Sequence, residues 1–395
     1  MQYMEIYDVI IAGCGPAGAT AGHILGKLGL HTLLIDKSIF PRRKLCGGGL
    51  THKTLMLLQR VFDETENSLK KNEIINYKSY DYDVYFKDQL LVHGTSHFPI
   101  CFVDRYAYDY YLLEKAKGAG VTVLEGEKIK SIDLNNNIIT TSTGRNLKAR
   151  FIIGADGAHS MIRNELPDKC YRKINWKYNL STALEIAIPR SEIQQNIDRP
   201  VIHFGYIDWG YSWIFPNKDK VIVGIGGLNR KNSKRFALLF HEYISAVNLF
   251  YKVKNIQQIK TYGHPVPSGN YLKRPIYHNV MLVGDAAGFS DPISGEGIYQ
   301  AQRSAEIAAI SIYKSLKTKA SLDKTYINLL QKYVFPDLLH ANILRWFVFT
   351  AFNKLDINQI RTIMKYGEKR AIDIIHGQRT YKFLRRIPGL HEGII

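Results

Sequence analysis

Cysteine is scarce and scattered: four in 395 residues, Cys14, Cys46, Cys101 and Cys170, with no CxxC among them. A disulfide framework and a structural zinc site are therefore not expected. The 13 histidines show no ligand spacing either, and no metal is expected. No apolar run approaches the roughly 20 residues needed to cross a bilayer. No secretory hydrophobic segment stands at the N-terminus, where the first strand begins within a few residues. The expectation is a cytoplasmic protein, soluble or peripheral on the inner face of the cell membrane. Acidic residues are also short, 35 against 53 Lys plus Arg, a net charge of +18. That excess suits an anionic membrane or an acidic redox protein, with a merely solvated basic surface as the alternative. Zinc-finger spacing, RNP-like aromatic motifs and polybasic blocks are missing, so nucleic acid is not an expected partner. Repeats and low-complexity linkers are missing too. With 46% hydrophobic residues the chain reads as globular, long enough for roughly two or three domains.

The most informative stretch is YDVIIAGCGPAG, Tyr7 to Gly18. An apolar run (Val9, Ile10, Ile11) leads straight into Gly13-Cys14-Gly15-Pro16-Ala17-Gly18, which fits GxGxxG. Ala17, Ala21, Leu25 and Leu28 then recur at helical spacing. A buried strand that ends in glycines and turns into a helix builds an anion site. Gly13 allows the tight turn, Gly15 lets a pyrophosphate approach the backbone, and Gly18 lets the helix pack on its strand. The next strand, 31–35, ends at Asp36, where a carboxylate holds ribose hydroxyls. Dinucleotide binding is the reading; a glycine-rich turn without ligand is the alternative.

Beyond Asp36, residues 38–50 (SIFPRRKLCGGGL) read as a basic, glycine-rich loop wrapped around something. Residues 51–62 read as a helix. Aromatic and polar residues then alternate over 74–93 (Tyr80, Tyr82, Val84, Phe86), as in antiparallel strands. Asp104 opens a helix to about residue 117, a strand follows at 121–124, and a hairpin occupies 129–147. A second strand-to-loop junction ends in Gly154-Ala155-Asp156-Gly157. The text from 175 to 227 is β-rich, with strands near 181–188, 201–206, 211–215 and 221–225. A helix at 233–250 follows. A third buried strand closes on Gly284-Asp285, and a long helix runs over 297–315. The remainder, 322–395, reads as helical. Within it Ile343 to Phe352 is apolar all round except Arg345 and Thr350. A core helix is the reading there, a lid or membrane-dipping helix the alternative.

Ligands of open parallel sheets sit beyond the carboxyl ends of the strands, so the three glycine loops line one groove. Asp156 and Asp285 stand there as acceptors for ligand hydroxyls. Gly295 and Gly297 approach a helix N-terminus whose dipole favours negative charge. At this point the chain resembles a known family. GxGxxG, GADGAHSMIR (Gly154 to Arg163) and GDAAGFSDPISGEGI (Gly284 to Ile298) look like the FAD-binding core of the p-hydroxybenzoate-hydroxylase-like flavoproteins. The loop FPRRKLCGGGL, the segment GYSWIFP (Gly210 to Pro216) and the tail HGQRTYKFLRR (His376 to Arg386) are most similar to geranylgeranyl reductases.

The resemblance implies an α/β fold: a Rossmann-like FAD-binding domain interrupted by an antiparallel β-sheet substrate domain, with a helical C-terminal region. The FAD-binding parts would be 1–72, 103–174 and 275–320, the substrate parts 73–102 and 175–274, and the helical region 321–395. It also implies roles. Gly13, Gly15, Ala17 and Gly18 would contact the ADP half, Asp36 and Lys37 its ribose, and Ile129 the adenine. Arg105 would lie near the pyrophosphate, and Cys46, Gly47 and Gly49 against the isoalloxazine. Asp156 and Gly157 would border the cofactor, Asp285 would hold the ribitol, and Gly295, Gly297 and Ile298 would reach the flavin pyrimidine. Tyr211, Trp213 and Phe215 would wall a lipid pocket, or form one face of a core sheet.

Two departures stand out. Asp36 replaces the usual Glu, and CGGG replaces a form such as CGEG, so an acid role in that loop is in doubt. Cys46 is then a proton donor or reactive thiol, or a small residue in a crowded loop. The implied activity is saturation of C=C bonds in a prenyl lipid by hydride from reduced FAD, with ferredoxin or NAD(P)H as electron donor. A flavin monooxygenase or halogenase of the same superfamily is the second hypothesis, and a redox-inactive lipid escort protein the third. Ten Lys/Arg against four acidic residues between His340 and Ile395 point the C-terminal region toward an anionic membrane.

Overall fold

The computed structural model describes residues 5–167, 173–232 and 235–382. The run Val9–Ile11 is apolar on both faces because it lies mid-sheet with its side chains fully buried. Its strand β1 (Ile6–Ala12) pairs in parallel with β2 (Thr32–Asp36) and with β9 (Asn146–Gly154). Outward from β2 lies β6 (Thr122–Glu125), and outward from β9 lies β16 (Val280–Leu282), both parallel. The short β15 (Ile276–Tyr277) closes one edge antiparallel, and a hairpin of β7 (Ile129–Asp133) and β8 (Ile138–Thr141) hangs from β9. Three segments distant in sequence thus deliver the strand ends at Ala12, Gly154 and Leu282 side by side. Helices α1 (Pro16–Lys27), α4 (Arg105–Gly118) and α9 (Ile298–Thr318) pack with this sheet into one core.

The second sheet runs β14-β10-β13-β12-β11-β4-β5-β3. Its strands are β3 (Gly49–Leu50), β4 (Ile75–Phe86), β5 (Gln89–Val103), β10 (Ser181–Pro189), β11 (Val201–Phe204), β12 (Gly210–Pro216), β13 (Lys220–Leu228) and β14 (Tyr262–Val266). The expectation of an antiparallel sheet holds for every pair but β11–β4, which run parallel. That junction joins two segments more than a hundred residues apart, so no hairpin turn dictates its direction. Strand alternation gives the sheet two different faces. Ile186, Ile188, Ile214, Val221, Val223 and Ile225 pack against helix α8 (Phe236–Tyr251). Their neighbours Glu185, Trp213, Phe215 and Gly224 point the other way.

Short helices α2 (His52–Phe62), α3 (Glu66–Lys71), α5 (Met161–Asn164), α6 (Lys173–Tyr178) and α7 (Asn229–Asn232) fill the connections. Among the described residues the C-terminal region forms three helices: α10 (Leu322–Tyr333), α11 (Phe335–Lys354) and α12 (Ile357–Ile375). Asp356 caps α12, accepting the Asn358 and Gln359 N–H groups while the Gln359 side chain returns to the Asp356 N–H. The core-helix reading of 343–352 is corrected. In α11 Leu338, Ala341 and Phe349 are buried together with Arg345, which donates to the Ser268 carbonyl at 3.1 Å, while Leu339, Ile343, Trp346 and Phe347 are about half exposed. The carbonyl at Ser268 gives the guanidinium a partner inside, and the apolar stripe is turned outward. Among the described residues no helix is long and apolar enough to cross a membrane. Cys170 lies outside the described residues, as do the end of the 376–386 motif and Arg385, Arg386 and Glu392.

Candidate active site

The turn after β1 is as tight as its glycines suggested. Gly13 has φ +103°, and a Cβ there would stand 2.4 Å from the Ala155 carbonyl oxygen. At Gly18 a Cβ would stand 1.8 Å from the Gly13 carbonyl, so α1 can begin here only with glycine. Gly15 is the N-cap of α1, with Pro16 in the first turn, and Ala17 is buried against Gly284. Asp36 sits at the end of β2 with both oxygens on backbone: Oδ2 accepts the Cys14 N–H and Oδ1 the Ser38 N–H, each at 2.8 Å. It therefore ties the glycine turn to the following loop, keeping its remaining lone pairs for a ligand. Lys37 beside it is exposed, and Ile129 starts β7 half-buried.

Arg42 was missed at the sequence level. Its Nη2 lies 3.5 Å from the Cβ position of Gly15 and 3.0 Å from Asp109. Asp109 also takes both Nε and Nη2 of Arg105, at 2.6 and 2.9 Å. One fully buried carboxylate thus orients two guanidiniums beside the positive end of α1. Burial alone would lower the Arg105 pKa; Asp109 and Cys46 outweigh it and hold that group charged. The only signals for this cluster were the Arg-Arg pair of the loop and the i,i+4 spacing of Arg105 and Asp109.

Asp156 caps the start of α5, its Oδ2 accepting the Met161 and Ile162 N–H groups at 2.7 and 3.2 Å. Burial raises its pKa. Gly157 beside it has φ +76° and open space around its Cβ position. Asp285 accepts the Ser290 hydroxyl at 2.6 Å and lies 3.5 Å from the Cβ position of Gly297. Gly297 precedes α9, and Ile298 is its first, buried residue. Glu296 in the same loop is held by Thr51 at 3.0 Å and by the Lys53 ammonium.

The Cys46 loop crosses between the two sheets. Cys46 donates its N–H to Glu185 Oε1 at 3.0 Å, and its Sγ accepts the Gly48 N–H at 3.4 Å. Gly48 has φ +74°, and a Cβ there would lie 2.1 Å from the Val103 carbonyl. In this loop conformation no side chain, carboxylate included, fits at position 48. Gly47 lies against the Phe215 ring, and Gly49 opens β3. Lys44 touches His264. Burial brings the Lys44 pKa down to about 8, and burial with the Lys44 charge brings His264 down to about 3. Burial pushes Glu185 up to about 7, against the pull of the Cys46 N–H, Lys44, Arg105 and Lys220.

An aromatic row lines the adjoining face of the second sheet. Phe352 of α11 stacks on Phe204 at 3.9 Å between ring centres. The row continues to Tyr211 (6.3 Å), Trp213 (5.8 Å), Phe215 (6.2 Å) and Phe102 (5.5 Å). Tyr211 donates to the Ser294 carbonyl and sits 3.7 Å from the Cβ position of Gly295, which ties the row to the third glycine loop. The Tyr211, Trp213 and Phe215 side chains therefore face the glycine loops, while the opposite face of the same strand supplies the core against α8.

The site suits FAD. Arg42 Nη1 and Asp156 Oδ1 are buried beside the glycine turn without a partner among the described residues. A phosphate oxygen and a sugar hydroxyl satisfy such a donor and acceptor. A family model for an FAD binding domain matches residues 6–197. The chain is 33% identical to an uncharacterized protein of Methanosarcina barkeri over 80% of this chain and 77% of that protein. It is 28% identical to the chloroplastic geranylgeranyl diphosphate reductase of rice over 77% of this chain, spanning 66% of that protein's length. It is 25% identical to the digeranylgeranylglycerophospholipid reductase of Methanococcus vannielii over 98% and 97% of the two chains. In fold it is similar to a geranylgeranyl bacteriochlorophyll reductase-like protein of Thermoplasma acidophilum, with a TM-score of 0.74 at 19% identity, covering 97% and 94% of the chains. It is similar in the same sense to a point mutant of the halogenase PltM in complex with FAD, with a TM-score of 0.74 at 18% identity, covering 93% and 81%.

Proposed function

Because the chain belongs to the geranylgeranyl reductase family of FAD-dependent oxidoreductases, we propose that it saturates C=C bonds in the prenyl chain of a lipid. The observation that carries this reading is the aromatic row from Phe352 to Phe102, which ends at the Cys46 loop. Bound and reduced, FAD supplies the hydride. The chain supplies the rest. Gly13, Gly15, Ala17 and Gly18 with Arg42 hold the ADP phosphates, Asp36 and Lys37 the ribose, and the Ile129 backbone the adenine. Asp156 and Gly157 border the pyrophosphate, with Arg105 locked to Arg42 through Asp109. Asp285 takes the ribitol, and the backbone of Gly295, Gly297 and Ile298 meets the pyrimidine edge at the positive end of α9. Gly47 and Gly49 let the loop lie flat beside the ring.

An isolated trisubstituted alkene is a poor hydride acceptor, so it must be held in place and kept dry. Tyr211, Trp213 and Phe215 do this as the wall of the lipid site. Cys46 either gives a proton or shapes the loop, and Cys46→Ser separates these: a severe loss of turnover with FAD retained means chemistry, a mild loss means packing. Docking on an anionic leaflet fits the exposed apolar stripe of α11 together with Arg361, Lys365, Lys369 and Arg370 of α12, all exposed. The electron donor is ferredoxin or NAD(P)H, and a net charge of +18 suits an acidic donor protein.

The test is anaerobic. Chemically reduced enzyme mixed with a geranylgeranyl lipid should reoxidise its flavin and yield product heavier by multiples of two hydrogens. Oxygen insertion in air, with no reduced lipid formed anaerobically, would instead establish a monooxygenase, the second reading that the likeness in fold to a halogenase keeps in play. Protein that purifies colourless and takes up no FAD would sink both. Asp285→Ala should weaken FAD binding by roughly 10- to 100-fold, the range expected for losing hydrogen bonds to a charged group.

A further inference from the structure

Saturating a C=C bond takes a proton as well as a hydride, and the Cys46 loop carries no carboxylate of its own. The second sheet brings one to it. Trp213 of β12, Gly224 of β13, Glu185 of β10 and Tyr262 of β14 are successive cross-strand partners, a single row on the face away from α8. Glu185 is 8% exposed. Its Oε1 accepts the Cys46 N–H at 3.0 Å, and its Oε2 is buried with no partner among the described residues. Gly224 stands between Glu185 and Trp213 in the row, and its missing side chain makes room for the indole. A Cβ there would meet Trp213 Cζ2 at 2.3 Å and Cε2 at 2.4 Å, so the indole lies over the glycine, its far edge reaching Gly226. Trp213 Nε1 likewise has no partner among the described residues.

Resting on the prenyl-reductase reading, we propose that Glu185 is the proton donor, oriented by the Cys46 backbone. The alkene π pair forms a C–H bond to the Glu185 proton at one carbon. The hydride, with its own pair, forms the second C–H bond at the other. Glu185 is left as a carboxylate and recovers a proton from water past the neighbouring Lys44. The groups acting on Glu185 are Lys44 and Cys46 of the loop, Arg105 of α4 and Lys220 of β13, with Tyr262 next in the row. Burial outweighs these donors and cations and keeps the carboxyl protonated up to about pH 7. Without the burial of the row, such a group would be a spent acid at neutral pH.

Glu185→Gln keeps an acceptor for the Cys46 N–H but has no acidic proton. Anaerobic single-turnover reoxidation of its FAD by a geranylgeranyl lipid should fall by roughly 100-fold or more, the usual weight of a general acid, with the FAD absorbance spectrum retained. In the wild type the rate should fall as pH rises through about 7, and Lys44→Met should move that midpoint upward by removing a positive charge. Infrared difference spectra of the FAD-loaded protein without lipid should show a protonated carboxyl band that titrates with the same midpoint and is missing in Glu185→Gln. A Glu185→Gln rate within about tenfold of wild type, a larger loss in Cys46→Ser than in Glu185→Gln, or a Glu185 carboxyl already ionised at about pH 6 would each overturn the assignment. The two readings fail separately. A wild type that reduces no prenyl chain overturns the delivery step together with the proposed function, whereas an ionised Glu185 in an active wild type overturns the assignment alone.

Discussion

The two faces of the second sheet come from the same strands and differ in almost every physical respect. Against α8 lie Ile186, Ile214 and Ile225, which are 0–2% exposed and packed on Phe236, Phe240, Tyr243 and Ile244. One residue along each strand, on the other face, stand Glu185, Trp213 and Gly224, with a carboxylate oxygen and an indole N–H that have no partner among the described residues, and a missing side chain. The first face stabilises: burying an aliphatic side chain contributes about 1.5–3 kcal/mol. The second keeps polar atoms buried without partners, which costs stability. A binding site embedded in a core is recognised by that cost.

The largest effect should come from the closed face. Ile225→Ala leaves a cavity in a fully buried position and should lower unfolding free energy by about 2–5 kcal/mol, measured by urea denaturation, with FAD affinity unchanged in the folded fraction. On the site face Glu185→Gln should act with the opposite sign. The folded-state carboxyl is raised from its ordinary value to about 7, so its stabilising contribution is complete below the unfolded value of about 4.3 and lost as pH rises toward about 7. Wild-type stability should therefore decline across that window, and Glu185→Gln should flatten the decline, gaining on the order of 2–4 kcal/mol relative to wild type at about pH 8. A variant curve parallel to wild type would remove the distinction between the faces. Trp213→Ala should slow lipid reduction roughly tenfold or more, about 1.4 kcal/mol of barrier, while FAD affinity changes much less; equal losses in both would mean that the indole supports the cofactor rather than the lipid.

The α11 stripe extends the comparison to an apolar face turned outward. Neutralising Lys365 or Lys369 with glutamine should weaken binding to anionic vesicles by about 1 kcal/mol each, and added salt should weaken it further. Equal sedimentation with neutral and anionic vesicles would reject the electrostatic part. Trp346→Ser should reduce binding to both kinds of vesicle.

Local patterns were sufficient for the nucleotide loops. A strand, three glycines and a helix are contiguous, so Gly13, Gly15 and Gly18 could be read directly, and the tight contacts at Gly13 and Gly18 bear out the turn and the close packing. The second sheet was legible as alternating strands, but β14 and the continuation of β5 to Val103 were not: β14 is a half-buried edge strand of weak periodicity, and Cys101, Phe102 and Val103 are buried in succession between β4 and β3, without alternation. In α11 the apolar residues ran all round the helix, and composition could not say which side would face the protein. In the structure Leu338, Ala341 and Phe349 face inward on the side that carries Arg345, which finds the Ser268 carbonyl there.

By itself the sequence determined the dinucleotide fingerprint, the order of the three glycine loops, the aromatic alternation of β12 and the positive charge. Each depends on neighbours a few residues apart, where backbone geometry sets the spacing. Only the tertiary structure decided that Arg42 and Arg105 share Asp109, that position 48 cannot hold a side chain, and that Glu185, 139 residues beyond Cys46, meets its N–H. Those contacts arise where two sheets pack. Which side chains converge there follows from strand register and burial, and no local spacing records it.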